Sequence, residues 1–242
     1  AFVIFCLASS AVYLLNDLSD LEEDRRHPLK KWRPLATGEL GVPTALFCMV
    51  LLVCASVIGG LLIGASFMIV IGTYLAMNVA YSLGAKRLVI VDVMLVAFGF
   101  VLRVVGGATA IGVEASEWLV LCTFLLALLI SFGKRRHELT ILEDDARNHR
   151  ASLDDYSQPL LDLLMAVSAA AAIVSYAMYT MSDHVAEQFG SHALVITIPF
   201  VLYGIFRYLY LVHQKLEGGD PARLIVTDAP TLVNGALWTV AS

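Results

Sequence analysis

The chain has 242 residues, of which 59% are hydrophobic and only 15% are charged, and its mean hydropathy is +0.78. Soluble domains carry about 25% charged residues, and a soluble protein of this length could not bury so much apolar surface. The composition therefore excludes a soluble globular domain and requires lipid to cover the chain. The formal net charge of −5 says little about partners, because the charges are segregated along the sequence.

Apolar segments long enough to cross a bilayer follow one another along the chain. A spanning helix needs about 20 predominantly apolar residues. By this criterion we predict seven spanning helices, at 1–15, 43–63, 66–83, 89–112, 116–133, 158–181 and 192–212, and an eighth that begins near residue 231. The predicted fold class is all-α, a polytopic membrane helical bundle. We expect residues 1–242 to form a single transmembrane domain that is truncated at both ends, since the chain begins and ends within apolar segments.

The connections between these segments alternate in charge. All but two of the sixteen lysines and arginines fall in four connections, at 17–42, 84–88, 134–157 and 213–230. Connections rich in lysine and arginine stay on the cytoplasmic side. We therefore predict a multi-pass protein of an inner or plasma membrane whose polar chemistry faces the cytoplasm.

The most informative motif, here called the acid motif, is NDLSDLEED at residues 16–24. On a continuous helix with 3.6 residues per turn, five polar side chains would fall within an arc of about 100°: Asn16, Asp17, Asp20, Asp24 and His27. Oxygen ligands at this density suit Mg²⁺, which takes its remaining ligands from water and substrate phosphates. We predict that Asn16, Asp17, Asp20 and Asp24 hold Mg²⁺ and, through it, a diphosphate.

Pro28 is expected to end the helix that carries the acid motif. Basic residues follow it in the chain. Lys30 and Arg33 are candidates for pairing with phosphate, and His27 is a candidate substrate contact. The alternative is a solvated acidic and basic loop that only fixes the topology. Acidic residues contribute little to topology, so the metal–diphosphate interpretation is favoured.

A second polar group consists of Tyr81, Lys86, Asp92 and Arg103. An arginine as deep in a span as Arg103 is costly and is expected to face a partner or a wet cavity. We predict that Tyr81 and Asp92 contact substrate, that Asp92 orients Lys86 or Arg103, and that both cations join the three aspartates in catalysis. For Arg103, a structural pair between helices is the alternative.

The acid motif matches, without a substitution, the NDxxDxxxD signature of the UbiA superfamily of intramembrane transferases. The order of helices and basic loops resembles that family over essentially the whole chain. The resemblance implies an all-helical bundle of nine spanning helices, about eight of them represented here, around a lateral cavity open to lipid.

The third polar group is GKRRHE at residues 133–138, here called the cationic segment. Lys134 and Glu138 are one helical turn apart and could pair. Aromatic prenyltransferases of the superfamily carry a second DxxxD motif here, and this chain does not. With the HPxKxxRP sequence after the acid motif and a Gly-Gly-Asp-Pro sequence at 218–221, the chain resembles the decaprenyl-phosphate phosphoribosyltransferase branch.

That resemblance implies Mg²⁺-dependent transfer of the 5-phosphoribosyl group from phosphoribosyl pyrophosphate to a polyprenyl phosphate, for cell-envelope arabinan synthesis. Lys134, Arg135 and Glu138 would then contact substrate. One alternative is a prenyltransferase that acts on an aromatic quinone, haem or chlorophyll precursor, against which the missing DxxxD argues. Another is a cation transporter, whose acids should lie near the bilayer midplane rather than at one interface. No partner nucleic acid is expected, and a homo-oligomer is left open.

Overall fold

The computed structural model describes residues 1–26, 30–142, 155–182, 193–216 and 218–242, and these residues form helices and turns without a strand. Short 3₁₀ helices lie at Lys30–Trp32, Ala85–Arg87 and Ala193–Thr197. The α-helices, in chain order, are α1 (Phe2–Ser19), α2 (Leu21–Arg26), α3 (Pro34–Thr37), α4 (Val42–Ile63), α5 (Ala65–Leu83), α6 (Val91–Ala110), α7 (Glu117–Leu142), α8 (Gln158–Thr180), α9 (Ile198–Gln214), α10 (Pro221–Thr227) and α11 (Ala229–Ala241).

Seven helical segments in the described ranges are long and apolar enough to cross a membrane. They are α1, α4, α5, α6, α7 and α8, and the segment Leu194–Gln214 that contains α9. The helices α10 and α11, which are bent by 79° relative to each other, together qualify as an eighth. The predicted all-helical, multi-pass fold is therefore confirmed.

Proline and capping side chains fix where several of these helices begin. A proline in the first turn loses no helical hydrogen bond there, and α4, α8, α9, α10 and α11 all have one. The Ser157 hydroxyl caps α8 by accepting from the Leu160 N–H at 3.3 Å. The Asp228 carboxylate caps α11 by accepting from the Thr231 N–H at 3.0 Å.

The spacing of the acid motif predicts one continuous helix, but the structure divides it between two. The helix α1 ends at Ser19, Asp20 follows with φ −101° and ψ 9°, and α2 begins at Leu21. Aspartate is a poor helix former, and the Asp20 carboxylate is engaged by a lysine from another part of the chain. His27 and Pro28, predicted to complete the helix, lie outside the described residues.

The first of two compact units is built on Ala1–Ser116. Within it α1 packs against α4 and α5, and α5 packs against α6. Its core contains edge-to-face aromatic contacts of Phe5 with Phe67 at 5.8 Å and with Tyr74 at 5.6 Å between ring centroids. A side chain at Gly106 would place its Cβ 2.7 Å from Cζ of Phe5, so glycine is needed for α6 to approach this ring.

The second unit contains the helices from Glu117 to the end of the chain. Here α7 packs against α8, and α9 contacts both α8 and α11. Arg207 on α9 donates to both carboxylate oxygens of Asp228, at 3.0 and 2.7 Å. Asp228 lies at the bend between α10 and α11, so this ion pair ties the bend to α9.

Glycines bring the loop at residues 218–220, here called the glycine loop, into direct contact with α7. A Cβ atom at Gly218 would lie 2.7 Å from the Gly133 carbonyl oxygen, and one at Gly219 would lie 2.5 Å from Nε2 of His137. A side chain at Gly133 would in turn overlap the Tyr208 hydroxyl. The glycine loop and the cationic segment, which are far apart in the sequence, therefore pack together.

We predict that Gly219→Ala destabilises the protein by about 1–3 kcal/mol, because the added methyl overpacks against the His137 ring. His137→Ala in the same chain removes the ring and should recover at least half of the loss. The measurement is thermal unfolding in detergent. Gly235→Ala is the matched control, since a Cβ there meets no atom within 4 Å. If the double variant is no more stable than Gly219→Ala, the ring is not the source of the strain.

Candidate functional site

Arg33 bridges the first and last aspartates of the acid motif. Its Nη1 atom donates to Oδ1 of Asp17 at 2.8 Å and to Oδ2 of Asp24 at 2.7 Å. The Asp24 side chain is only 6% exposed, whereas that of Arg33 is 37% exposed. One guanidinium nitrogen thus lies between two carboxylates.

Burial raises the pKa of the Asp24 carboxyl, and the charges of Arg33 and Lys30 act in the opposite direction. Lys30 lies in the 3₁₀ helix just before Arg33 and is half-buried. Burial outweighs these cations, so the pKa of the Asp24 carboxyl is raised overall.

Asp20 is engaged separately, by Lys86. The Lys86 ammonium contacts Oδ1 of Asp20 and donates to the Ser19 hydroxyl at 3.2 Å. The Ser19 hydroxyl donates in turn to the Ser82 carbonyl oxygen at 3.1 Å. The lysine is buried in the 3₁₀ helix between α5 and α6. Among the described ion pairs, Arg33 therefore serves Asp17 and Asp24, and Lys86 serves Asp20.

The described partners of the Lys86 ammonium are Asp20 and Ser19, and the orientation of Lys86 or Arg103 by Asp92 stays a prediction. Asp92 is fully buried in the first turn of α6, and Tyr81 is half-buried in the last turn of α5. Between Lys86 and Asp92, the Val91 N–H bonds to the Val89 carbonyl at 2.8 Å and Ile90 has φ 68°. This is a γ-turn, a strained conformation for a β-branched residue.

Arg103 lies within α6 and binds two hydroxyl groups of the first unit. Its Nη2 atom donates to Ser9 at 3.1 Å and to Tyr74 at 2.8 Å. Its guanidinium also lies 5.1 Å from the Tyr74 ring centroid and 5.0 Å from that of Phe100. These contacts link α1, α5 and α6, as the structural alternative predicts, and the catalytic role of Arg103 stays a prediction.

In the cationic segment, Glu138 pairs with Arg135. The Arg135 Nη1 to Glu138 Oε2 distance is 2.7 Å, and Arg135 is 6% exposed, whereas Lys134 is exposed. On this helix the arginine three residues before the glutamate lies on the buried face, so it meets the carboxylate, while Lys134 points outward. The Arg135–Glu138 pair is the described contact, and the suggested Lys134–Glu138 pair stays a prediction.

Arg136 belongs to a further ion cluster in the second unit. Its Nε atom donates to Oδ1 of Asp162 at 2.6 Å, and Nε2 of His213 lies 3.0 Å from the same oxygen. The cluster joins α7, α8 and α9 next to the glycine loop. It fixes the end of α7 that carries the cationic segment.

The oxygen donors of the acid motif are of the type that a divalent metal prefers. Oδ1 of Asn16 is buried without a hydrogen-bond partner among the described residues, and an unpaired buried carbonyl oxygen is costly unless something binds it. In the part of the chain that the structure describes, no group of three or more His, Cys, Asp and Glu side chains could hold a metal. Mg²⁺ is commonly held by one or two carboxylates together with substrate phosphates. Asp17, Asp24 and Asn16 could supply the protein oxygens of such a site.

Sequence reasoning missed the residues that position the cations. Ser19 occupies an unspecified position of the NDxxDxxxD signature, Ser9 and Tyr74 lie in apolar segments, and Asp162 and His213 belong to two different spans. Polar residues inside apolar helices were the available signal, because each needs a partner there. The identity of that partner depends on tertiary packing.

Comparison with known proteins gives a consistent result. The sequence matches the UbiA prenyltransferase family over residues 1–227. It is 34% identical to a decaprenyl-phosphate phosphoribosyltransferase of Corynebacterium glutamicum, over 98% of this chain and 72% of the relative. It is 33% identical to the protein of that name from Mycolicibacterium smegmatis, over 98% of this chain and 76% of the relative.

The fold is also similar to that of solved structures. A UbiA homolog from Archaeoglobus fulgidus, bound to GPP and Mg²⁺, superposes with a TM-score of 0.72 and 17% identity, over all of this chain and 87% of that one. The same homolog bound to Cd²⁺ gives a TM-score of 0.71. From the match over residues 1–227 and the 33–34% identity to relatives that it covers to 72–76%, the chain belongs to the UbiA prenyltransferase family.

Proposed function

We propose that this membrane enzyme transfers the 5-phosphoribosyl group of phosphoribosyl pyrophosphate to a polyprenyl phosphate and releases diphosphate. The observation that carries the proposal is the 32–34% identity, along 98% of the chain, to proteins named decaprenyl-phosphate phosphoribosyltransferase. The family match runs through both compact units, which supports the proposal that residues 1–242 form one functional domain.

In the proposed reaction, an oxygen of the polyprenyl phosphate attacks the anomeric carbon of the donor. The bond from that carbon to the diphosphate oxygen breaks, and diphosphate leaves with the electron pair. Mg²⁺ held by Asn16, Asp17, Asp20 and Asp24 would neutralise the charge that develops on the leaving group. The acceptor phosphate is already ionised, so the reaction needs no strong general base.

The chain's own residues would position the phosphates. Lys30, Arg33 and Lys86 lie around the acid motif in the first unit, where they can donate to the donor diphosphate. Lys134 and Arg135 carry positive charge in the second unit, where the acceptor phosphate or the ribose 5-phosphate could bind. Arg135 is held by Glu138, so its guanidinium is oriented before substrate arrives.

We predict that Asp24→Ala and Asp20→Ala each lower the rate of transfer at least about a hundredfold, because each removes an oxygen ligand of the proposed metal and one carboxylate partner of a cation. The assay measures radiolabel from phosphoribosyl pyrophosphate in extracted lipid at saturating Mg²⁺. Glu22→Ala is the matched control, since Glu22 is 73% exposed and pairs with Arg25, three residues further along α2. Near wild-type turnover in either aspartate variant would refute the metal assignment, and labelling only from a prenyl diphosphate would refute the donor.

We predict that Arg135→Ala and Lys134→Ala each raise the KM for phosphoribosyl pyrophosphate or for polyprenyl phosphate about tenfold or more. A charge-assisted hydrogen bond to phosphate is worth about 1.5–3 kcal/mol. The Mg²⁺ dependence should change little, since neither residue belongs to the acid motif. Lys215→Ala, an exposed cation at the end of α9, is the control for general loss of positive charge. Unchanged KM values for both substrates would leave these residues as topology determinants only.

We also propose that the acid motif and the cationic segment face the cytoplasm, since the connections that carry them are rich in lysine and arginine. On a background without the four native cysteines, a membrane-impermeant maleimide should label Glu114→Cys from outside intact cells. It should label Lys31→Cys only in inverted vesicles. Both positions are exposed and lie in connections of opposite predicted sidedness. Labelling of both from one side would contradict the topology.

A further inference from the structure

Arg33 makes an unusual contact for a phosphate-binding residue, because a single nitrogen atom lies between two carboxylates. Nη1 is 2.8 Å from Asp17 and 2.7 Å from Asp24. These two aspartates are the first and last acids of the NDxxDxxxD pattern, and a divalent ion held by both would need the same space. A guanidinium and a doubly charged ion cannot both lie between the same two oxygens.

We propose that Arg33 is an internal counter-cation that occupies the position between Asp17 and Asp24 and yields it only to a metal that arrives together with diphosphate. The site would then bind the metal–diphosphate complex and exclude the free metal ion. This inference rests on the proposed function of the acid motif, but not on the identity of the group that the diphosphate carries.

The exposures of the side chains identify Arg33 as the group that moves. Asp24 is 6% exposed and Asp17 is 25% exposed, whereas Arg33 is 37% exposed and comes from the loop before α3. Lys86, the cation on Asp20, is 10% exposed and is also bound to Ser19. Arg33 can therefore leave the acids, while Lys86 is held in place.

The charges explain why the exchange would depend on diphosphate. If a metal ion entered alone, it would displace Arg33 from two carboxylates and leave the guanidinium without an anion, which is costly at a partly buried site. If diphosphate enters with the metal, Arg33 exchanges its carboxylate partners for phosphate oxygens, which a guanidinium binds well. Binding of metal and of diphosphate would therefore be positively coupled through Arg33.

The test measures Mn²⁺ binding to the purified full chain in detergent, by electron paramagnetic resonance, without any donor. Arg33→Gln and Arg33→Ala should bind Mn²⁺ alone about tenfold or more tightly than the wild type, because the competing cation is gone. Lys31→Ala is the matched control, since this exposed neighbour of Arg33 stacks on Trp32 and should leave Mn²⁺ binding unchanged. Equal or weaker Mn²⁺ binding in folded Arg33 variants overturns the proposal.

A second arm adds inorganic diphosphate as the probe. In the wild type, diphosphate should increase the apparent Mn²⁺ affinity. The ratio of the affinities with and without diphosphate should be about tenfold or more smaller in Arg33→Gln than in the wild type. Arg33→Lys keeps the charge and should keep the low affinity for Mn²⁺ alone, which separates the charge effect from a general loss of structure. An undiminished diphosphate effect in Arg33→Gln would also overturn the proposal. Failure of phosphoribosyl transfer would refute the proposed function and leave both Mn²⁺ results interpretable.

Discussion

The compensation of carboxylate charge at the end of a membrane span is the constraint on which the rest of the site depends. Asp17 lies in the last turn of the apolar helix α1, Asp20 and Asp24 follow it, and Asp24 is almost completely buried. Carboxylates in such a place repel each other and lose hydration, so they need cations at short distance. Arg33 and Lys86 supply them from two different connections, and this requirement brings the loop before α3 and the turn before α6 to the end of α1.

Under the proposed function, this arrangement would let the same cations also bind phosphate. A residue that neutralises an aspartate in the resting protein is already close to the place where a phosphate would bind. Its side chain could then exchange a carboxylate partner for a phosphate partner by a small movement. Lys86, which is fixed by Ser19 as well as by Asp20, would keep its orientation, while Arg33 would change partners.

Local sequence properties predicted the fold well, and tertiary contacts explain where the prediction stopped. Apolar length alone identifies each span, because a bilayer demands about 20 residues regardless of what they pack against. The break at Asp20 could not be predicted, since it accompanies a contact with Lys86, 66 residues further along the chain. Likewise, Glu138 has cations both three and four residues before it, and only the buried face of α7 selects Arg135.

The two arginines within spans differ in the order in which their partners are synthesised. Ser9 and Tyr74 precede Arg103 in the chain, so both hydroxyl groups are already available when α6 enters the bilayer. The partner of Arg207, Asp228, follows it by 21 residues and is therefore synthesised after it. A charged residue at the centre of an inserting helix costs about 2.5–3.5 kcal/mol. Membrane insertion of α9 is therefore linked to the emergence of the bent segment after it, whereas α6 can be accommodated by helices that are already present.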